Sequence, residues 1–139
     1  MQERLVETRY CLRGKIMEKK FDLNGIWHNQ YGSEMKLECD SSGRVSGKFR
    51  TAVGRAETQK EWQDQWFDLV GFVNRDTISF VVNFGIATGA TNAVAGKIIP
   101  SLNRIETVSL VNYDLPESER WKSLVVGTAN YERGPAVKS

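Results

Sequence analysis

Histidine and cysteine are scarce in this chain, and long apolar runs are missing. There is one histidine, His28, and there are two widely separated cysteines, Cys11 and Cys39. Zinc sites draw on closely spaced His and Cys ligands, so no metal is expected. One pair of cysteines permits a single disulfide but implies no disulfide framework. Each reads as a free structural thiol, because buried cysteine behaves as a small hydrophobe. No apolar stretch approaches the roughly 20 residues that cross a bilayer as a helix, so no membrane partner is expected. Residues 1–20 carry charges throughout and lack the apolar centre of a secretory leader. The expected location is the cytoplasm, or outside the cell as a mature form whose leader has been removed. The net charge is only +2, and the basic residues are scattered rather than gathered into one stripe, which argues against nucleic acid.

What the chain does have is β patterning. Its 139 residues, 40% of them hydrophobic, suit one domain with a real core. Residues 1–20 read as an N-terminal extension, in which Val6, Tyr10 and Met17 form a helix-like stripe that Arg13 interrupts. Residues 21–134 read as the folded domain and 135–139 as a tail. Met35, Leu37 and Cys39 alternate with Lys36 and Glu38, the mark of a half-buried strand. Asp40-Ser41-Ser42-Gly43 is a turn cluster. Val45, Gly47, Phe49 and Thr51 then share a face, which completes a hairpin. Residues 54–66 are polar and read as a long loop containing Trp62, with Trp66 at its end; these two tryptophans suit either a lid over a pocket or a subunit contact. Leu69–Val73 is a strand. Ile78, Phe80, Val82 and Phe84 share the inward face of the next, and Asn92, Val94, Gly96 and Ile98 that of another, across the small-residue loop Gly85–Ala90. Pro100 to Asn103 is a turn. Ile105, Thr107, Ser109 and Val111 continue the pattern, Asp114 to Arg120 is a polar crossover, and Ser123, Val125, Gly127, Ala129 and Tyr131 make the last strand. About eight short strands with closely spaced turns predict an all-β antiparallel up-and-down barrel. An eight-stranded barrel has room inside for side chains or for one small ligand.

The segment from Leu23 to Met35 joins Gly25-Ile26-Trp27 to Asn29-Gln30-Tyr31-Gly32-Ser33. Trp27 is expected to plug the closed end of the barrel. Asn29 and Ser33 are an amide and a hydroxyl held close by a glycine turn, suited either to capping that turn or to holding a polar head group in an apolar cavity. His28 should face outward by alternation. This segment resembles the first strand and turn of the avidin and streptavidin family. Ser46 to Val53, Ile78 to Phe84, Ala95-Gly96-Lys97, Arg104 to Thr107 and Trp121 to Gly127 resemble further blocks of that family in the right order.

The resemblance implies an avidin-like eight-stranded barrel of the calycin type, with biotin as candidate ligand and no other cofactor. Asn29 and Ser33 match two of the family's ligands to the ureido oxygen. The third, a tyrosine, is replaced by Phe49, and loss of one such bond in a buried site costs about 1–3 kcal/mol. Thr51, Ala52 and Val53 follow on the same segment, and Tyr31 sits in the first turn. Asn92 stands for the residue facing the ligand's far side. Ala129 replaces the family's last-strand Asp or Asn, while Asn130 should point outward. Phe84 takes the place of one pocket tryptophan and Ser109 that of another, with Val94 and Val111 as further walls. Trp121 matches the tryptophan that a neighbouring subunit lends, which implies a homodimer or homotetramer. The implied function is binding of biotin, or an analogue, with reduced affinity. An altered cavity also suits a different, more apolar metabolite, either bound or acted on by an isomerase or cyclase. Enzyme chemistry fits less well, because the inward faces carry no His, Asp, Glu or Lys to work as acid or base, leaving Tyr31 and Tyr131 as proton donors. No catalytic residue is therefore assigned.

Overall fold

The computed structural model describes residues 21–52 and 65–136. Eight strands run in chain order: β1 (Gly25–Asn29), β2 (Glu34–Cys39), β3 (Arg44–Arg50), β4 (Phe67–Asn74), β5 (Thr77–Asn83), β6 (Thr91–Ile99), β7 (Arg104–Asn112) and β8 (Leu124–Arg133). Each pairs antiparallel with the next, and β8 pairs back onto β1, closing the barrel. The expected up-and-down barrel is therefore the observed one. The N-terminal extension, Val53 and Trp62 lie outside the described residues.

The period-two pattern fixes which side chains fill the interior. In β5, Ile78, Phe80 and Val82 are buried while Thr77, Ser79, Val81 and Asn83 face out. In β2 and β3, Met35, Leu37, Val45 and Phe49 point inward. Two glycines allow the sheet to curl. A Cβ at Gly47 would collide with the Lys36 carbonyl oxygen, and one at Gly71 with that of Ser79, so neither place admits a side chain.

The turns follow the local chemistry. Asp40 Oδ1 accepts from the Ser42 hydroxyl and from the backbone N–H groups of Ser42 and Arg44. The Ser42 hydroxyl above all, helped by those N–H groups, holds the Asp40 carboxyl below the usual carboxylate range. Gly43 supplies the positive φ of +90° that closes the hairpin. The connections on either side of β7 contain short 3₁₀ helices, Pro100–Leu102 and Glu117–Lys122, where the sequence reads as a turn and a polar crossover. Cys39 is disulfide-bonded, which corrects the expectation of a free thiol at that residue; Cys11 lies outside the described residues. Trp66 packs on the outer surface beneath Lys36 Nζ, 4.4 Å from its ring centroid, and beside the Arg50 guanidinium.

One end of the barrel is sealed. Trp27 is fully buried, and its indole Nε1 donates to the Leu23 carbonyl at 3.0 Å. The Arg133 guanidinium lies 4.1 Å from the Trp27 ring centroid and 5.3 Å from that of Phe21. It donates to the carbonyls of Asp22 and Asn24 and to Asn103 Oδ1. One planar cation thus ties the segment entering β1, the end of β8 and the β6–β7 connection together over an indole. Replacing Arg133 with Met should lower the free energy of unfolding by about 2–4 kcal/mol, measured by urea denaturation. A change below about 0.5 kcal/mol would show that the seal is decorative.

Candidate functional site

The opposite end of the barrel, where β1–β2, β5–β6 and β7–β8 connect, opens into a cavity of about 420 Å³. Its deepest polar corner is built by the β1–β2 turn. Asn29 Oδ1 accepts from the backbone N–H groups of Tyr31 and Ser33, each at 3.0 Å. Gly32, at φ +90°, lets the chain reverse between them. The Asn29 oxygen is thereby committed to the turn, and its Nδ2 is left for other partners. Ser33 Oγ accepts from the Ala52 N–H at 3.1 Å, so the serine hydrogen remains available for donation. The capping alternative holds for the Asn29 oxygen, while the Asn29 amide hydrogens and the Ser33 hydroxyl hydrogen are not used by the turn.

Tyr131 stands beside this corner. It is the direct cross-strand partner of Asn29 and is 4% exposed. Burial pushes its phenol up to about 12, opposed in part by a hydrogen bond from the Asn29 side chain. Phe49, Thr51 and Ala129 line the same part of the cavity. Phe84 packs edge-on against Phe49 at 6.1 Å and against Phe67 at 5.1 Å between ring centroids. Farther along lie Asn92, Val94, Ser109 and Val111. Asn92 Oδ1 is buried and meets no hydrogen-bond donor among the described residues. Thr107 is already occupied, its hydroxyl donating to the Ala129 carbonyl at 2.9 Å.

The structure thus brings Asn29, Tyr31, Ser33, Phe49, Thr51, Phe84, Asn92, Val94, Ser109, Val111 and Ala129 around one space. Tyr31 is at the mouth, half exposed, with its hydroxyl donating to the Thr128 carbonyl at 3.4 Å. Ala52 is not a wall; it acts through its backbone N–H on Ser33. Trp121 is 79% exposed on the 3₁₀ helix before β8 and does not reach the cavity of its own chain. Thr107, Tyr113, Gly127, Thr128 and Tyr131 complete the lining and are absent from the sequence-based site. Three of them, Thr107, Gly127 and Tyr131, lie on inward faces that alternation identifies. The place of Tyr113 depends on how the chain leaves β7, which no periodicity records, and Thr128, an outward residue of β8, lies in the lining where its carbonyl accepts from Tyr31. Among the described residues, the lining includes no His, Asp, Glu, Lys, Arg or Cys.

A closed antiparallel meander, sealed at one end and hollow at the other, with a polar corner under an apolar throat, is a barrel of the small-molecule-binding class. The avidin family model matches residues 17–134, and the chain belongs to the avidin family. The fold is similar to that in a structure described as the bradavidin2–biotin complex. That structure is 22% identical in sequence, with a TM-score of 0.66, and the match covers 79% of this chain and 95% of the other.

The Tyr131 environment has a measurable consequence. Its phenol loses a proton near pH 12 when folded but near 10 when unfolded, so the unfolded state binds fewer protons between those values. The stabilisation from the buried neutral phenol is complete below about pH 10 and is lost as pH rises toward 12. An alkaline ultraviolet titration of the folded protein should show a late tyrosine step that Tyr131→Phe removes. Ionisation of every tyrosine near pH 10 in the folded protein would contradict this placement.

Proposed function

We propose that the cavity binds biotin or a closely similar cyclic urea, and holds it less tightly than a site with the family's full set of hydrogen bonds and indoles. The observation that carries this reading is the paired donor corner of Asn29 and Ser33, at the inner end of an apolar cavity of about 420 Å³. Ligand cavities of this kind run from about 300 to 1,000 Å³ and use a few convergent polar groups to orient the ligand. Asn92 lines the same space, and its side-chain amide carries both a donor and an acceptor. A donor corner and a separate acceptor suit a head group that carries both a carbonyl oxygen and N–H groups. The similar barrel's biotin complex supports the same ligand class. Binding without chemical conversion fits a lining whose titratable side chains, among the described residues, are tyrosines.

Weaker hold follows from the walls. Phe49 keeps a ring but offers no hydroxyl, Ala129 offers no side-chain acceptor, and Ser109 presents a small hydroxyl where an indole would bury far more surface. Titration calorimetry with biotin should give exothermic heat and a raised melting temperature. At ligand concentrations about 100-fold above Kd the stabilisation is about 2.7 kcal/mol. No heat and no thermal shift at millimolar biotin would refute the biotin reading, and a different metabolite carried through purification would replace it.

The outer face of the barrel supports self-association. Val70 and Phe72 of β4, Val81 of β5, Val108 and Leu110 of β7 and Val126 of β8 are exposed, Val126 to 68%. They flank a hollow of about 740 Å³, and Ala93 and Ala95 of β6 keep the surface between them low. Contiguous apolar surface of this kind marks an interface. The occupant we propose is a second copy of this chain, whose exposed Trp121 supplies the missing aromatic wall. Trp121→Ala should then weaken biotin binding at least tenfold while leaving the melting temperature of the ligand-free protein within a few degrees. Equal affinity in the variant would contradict the shared pocket.

A further inference from the structure

Resting on the cyclic-urea reading, we propose that the Tyr131 hydroxyl is the third donor to the ligand's carbonyl oxygen, replacing the hydroxyl that Phe49 lacks. Three observations lead there. First, Asn29 and Tyr131 face each other across the β1–β8 seam, both buried and both lining the cavity. Second, Asn29 Oδ1 already accepts two backbone N–H groups, so toward a neighbouring phenol oxygen Asn29 has only its amide N–H groups to offer. The phenol oxygen therefore accepts, and its own hydrogen is left to donate. Third, Ser33 is in the same condition, accepting from Ala52 with its hydrogen unspent.

The corner thus offers three hydrogens, from the Asn29 amide, the Ser33 hydroxyl and the Tyr131 hydroxyl, with the Asn29 and Ser33 side chains fixed through their oxygens and Tyr131 fixed by burial. Such a set is pre-organised for one oxygen carrying partial negative charge, and it loses little on binding because the donors are already oriented. The phenol stays protonated throughout the neutral range, since burial holds its pKa near 12. Phe49, meanwhile, is committed to its edge contact with Phe84. The hydroxyl has in effect moved from the third strand to the eighth, around the barrel wall, while the ligand oxygen stays opposite Asn29.

Calorimetry on the full chain tests this with two probes: biotin, and the analogue in which sulfur, a poor acceptor, replaces the ureido oxygen. Tyr131→Phe is expected to weaken biotin roughly 10- to 100-fold and the sulfur analogue by less than about threefold. Unchanged biotin affinity in Tyr131→Phe, or equal weakening of both probes, would overturn the assignment; the second result would leave Tyr131 as a positioning residue only. Should that variant fail to fold, Phe49→Tyr on the parent gives the same answer. If Tyr131 already serves the oxygen, the added hydroxyl improves affinity by less than about threefold, whereas a gain of tenfold or more shows the third position vacant and overturns the proposal. Absence of heat with the parent protein overturns the biotin reading itself, and this assignment with it.

Discussion

The pairing of β1 with β8 is the constraint on which the rest of this structure depends. It runs through only Trp27↔Arg133, His28↔Glu132 and Asn29↔Tyr131, yet it turns a meander into a closed barrel and removes both free sheet edges. The seam also sets both ends of the molecule. At one end it lays the Arg133 guanidinium against the Trp27 indole, and two residues along it sets Asn29 beside Tyr131 in the cavity. A slip of one residue would exchange the inward and outward faces of a strand, so sealing and binding are specified by one register.

That register divides the interior between two tasks. The half near Trp27 is filled by aliphatic side chains such as Leu37, Val45, Ile78 and Ile105, all fully buried, and packs as an ordinary core. The half near Asn29 keeps space, because its inward positions carry short or polar side chains, among them Ser109, Gly127 and Ala129, where the closed half has branched ones. The polar groups left in that space are not loose. The Asn29 oxygen caps its turn, the Ser33 oxygen accepts from Ala52 and the Thr107 hydroxyl bonds the β8 backbone. Asn92 is the exception, its buried oxygen meeting no donor among the described residues. Folding therefore engages the Asn29 and Ser33 oxygens and leaves the amide and hydroxyl hydrogens of these two residues unspent.

Much of this was legible in the sequence because barrel strands obey a period of two. Inward faces such as Ile78-Phe80-Val82 and Asn92-Val94-Gly96-Ile98 read directly from alternation, and the Asn-x-x-Gly-Ser turn pointed to the polar corner. The roles of individual atoms were not legible. That Asn29 spends its oxygen on the turn is a local matter of residues 29, 31 and 33; that Tyr131 stands beside its amide depends on the pairing of residues 29 and 131, which no local pattern encodes. Tyr131 did stand on the correctly identified inward face of the last strand; what was missing was the seam that brings it to Asn29. Cys39 was misjudged for a similar reason, since burial and pairing of a lone cysteine depend on what folds against it. Ala52 stands among the site residues that the resemblance implies, and its contribution is a backbone N–H to Ser33.

The central claim is that the donor corner of Asn29 and Ser33 receives the carbonyl oxygen of a cyclic urea within the barrel. The most direct measurement is a crystal structure of the protein grown with saturating biotin. The account predicts density for the ligand inside the cavity, with its ureido oxygen within hydrogen-bond distance of Asn29 Nδ2 and Ser33 Oγ and its rings between Phe84 and Val111. An empty cavity under those conditions, or biotin bound with its ureido group away from Asn29 and Ser33, would contradict it.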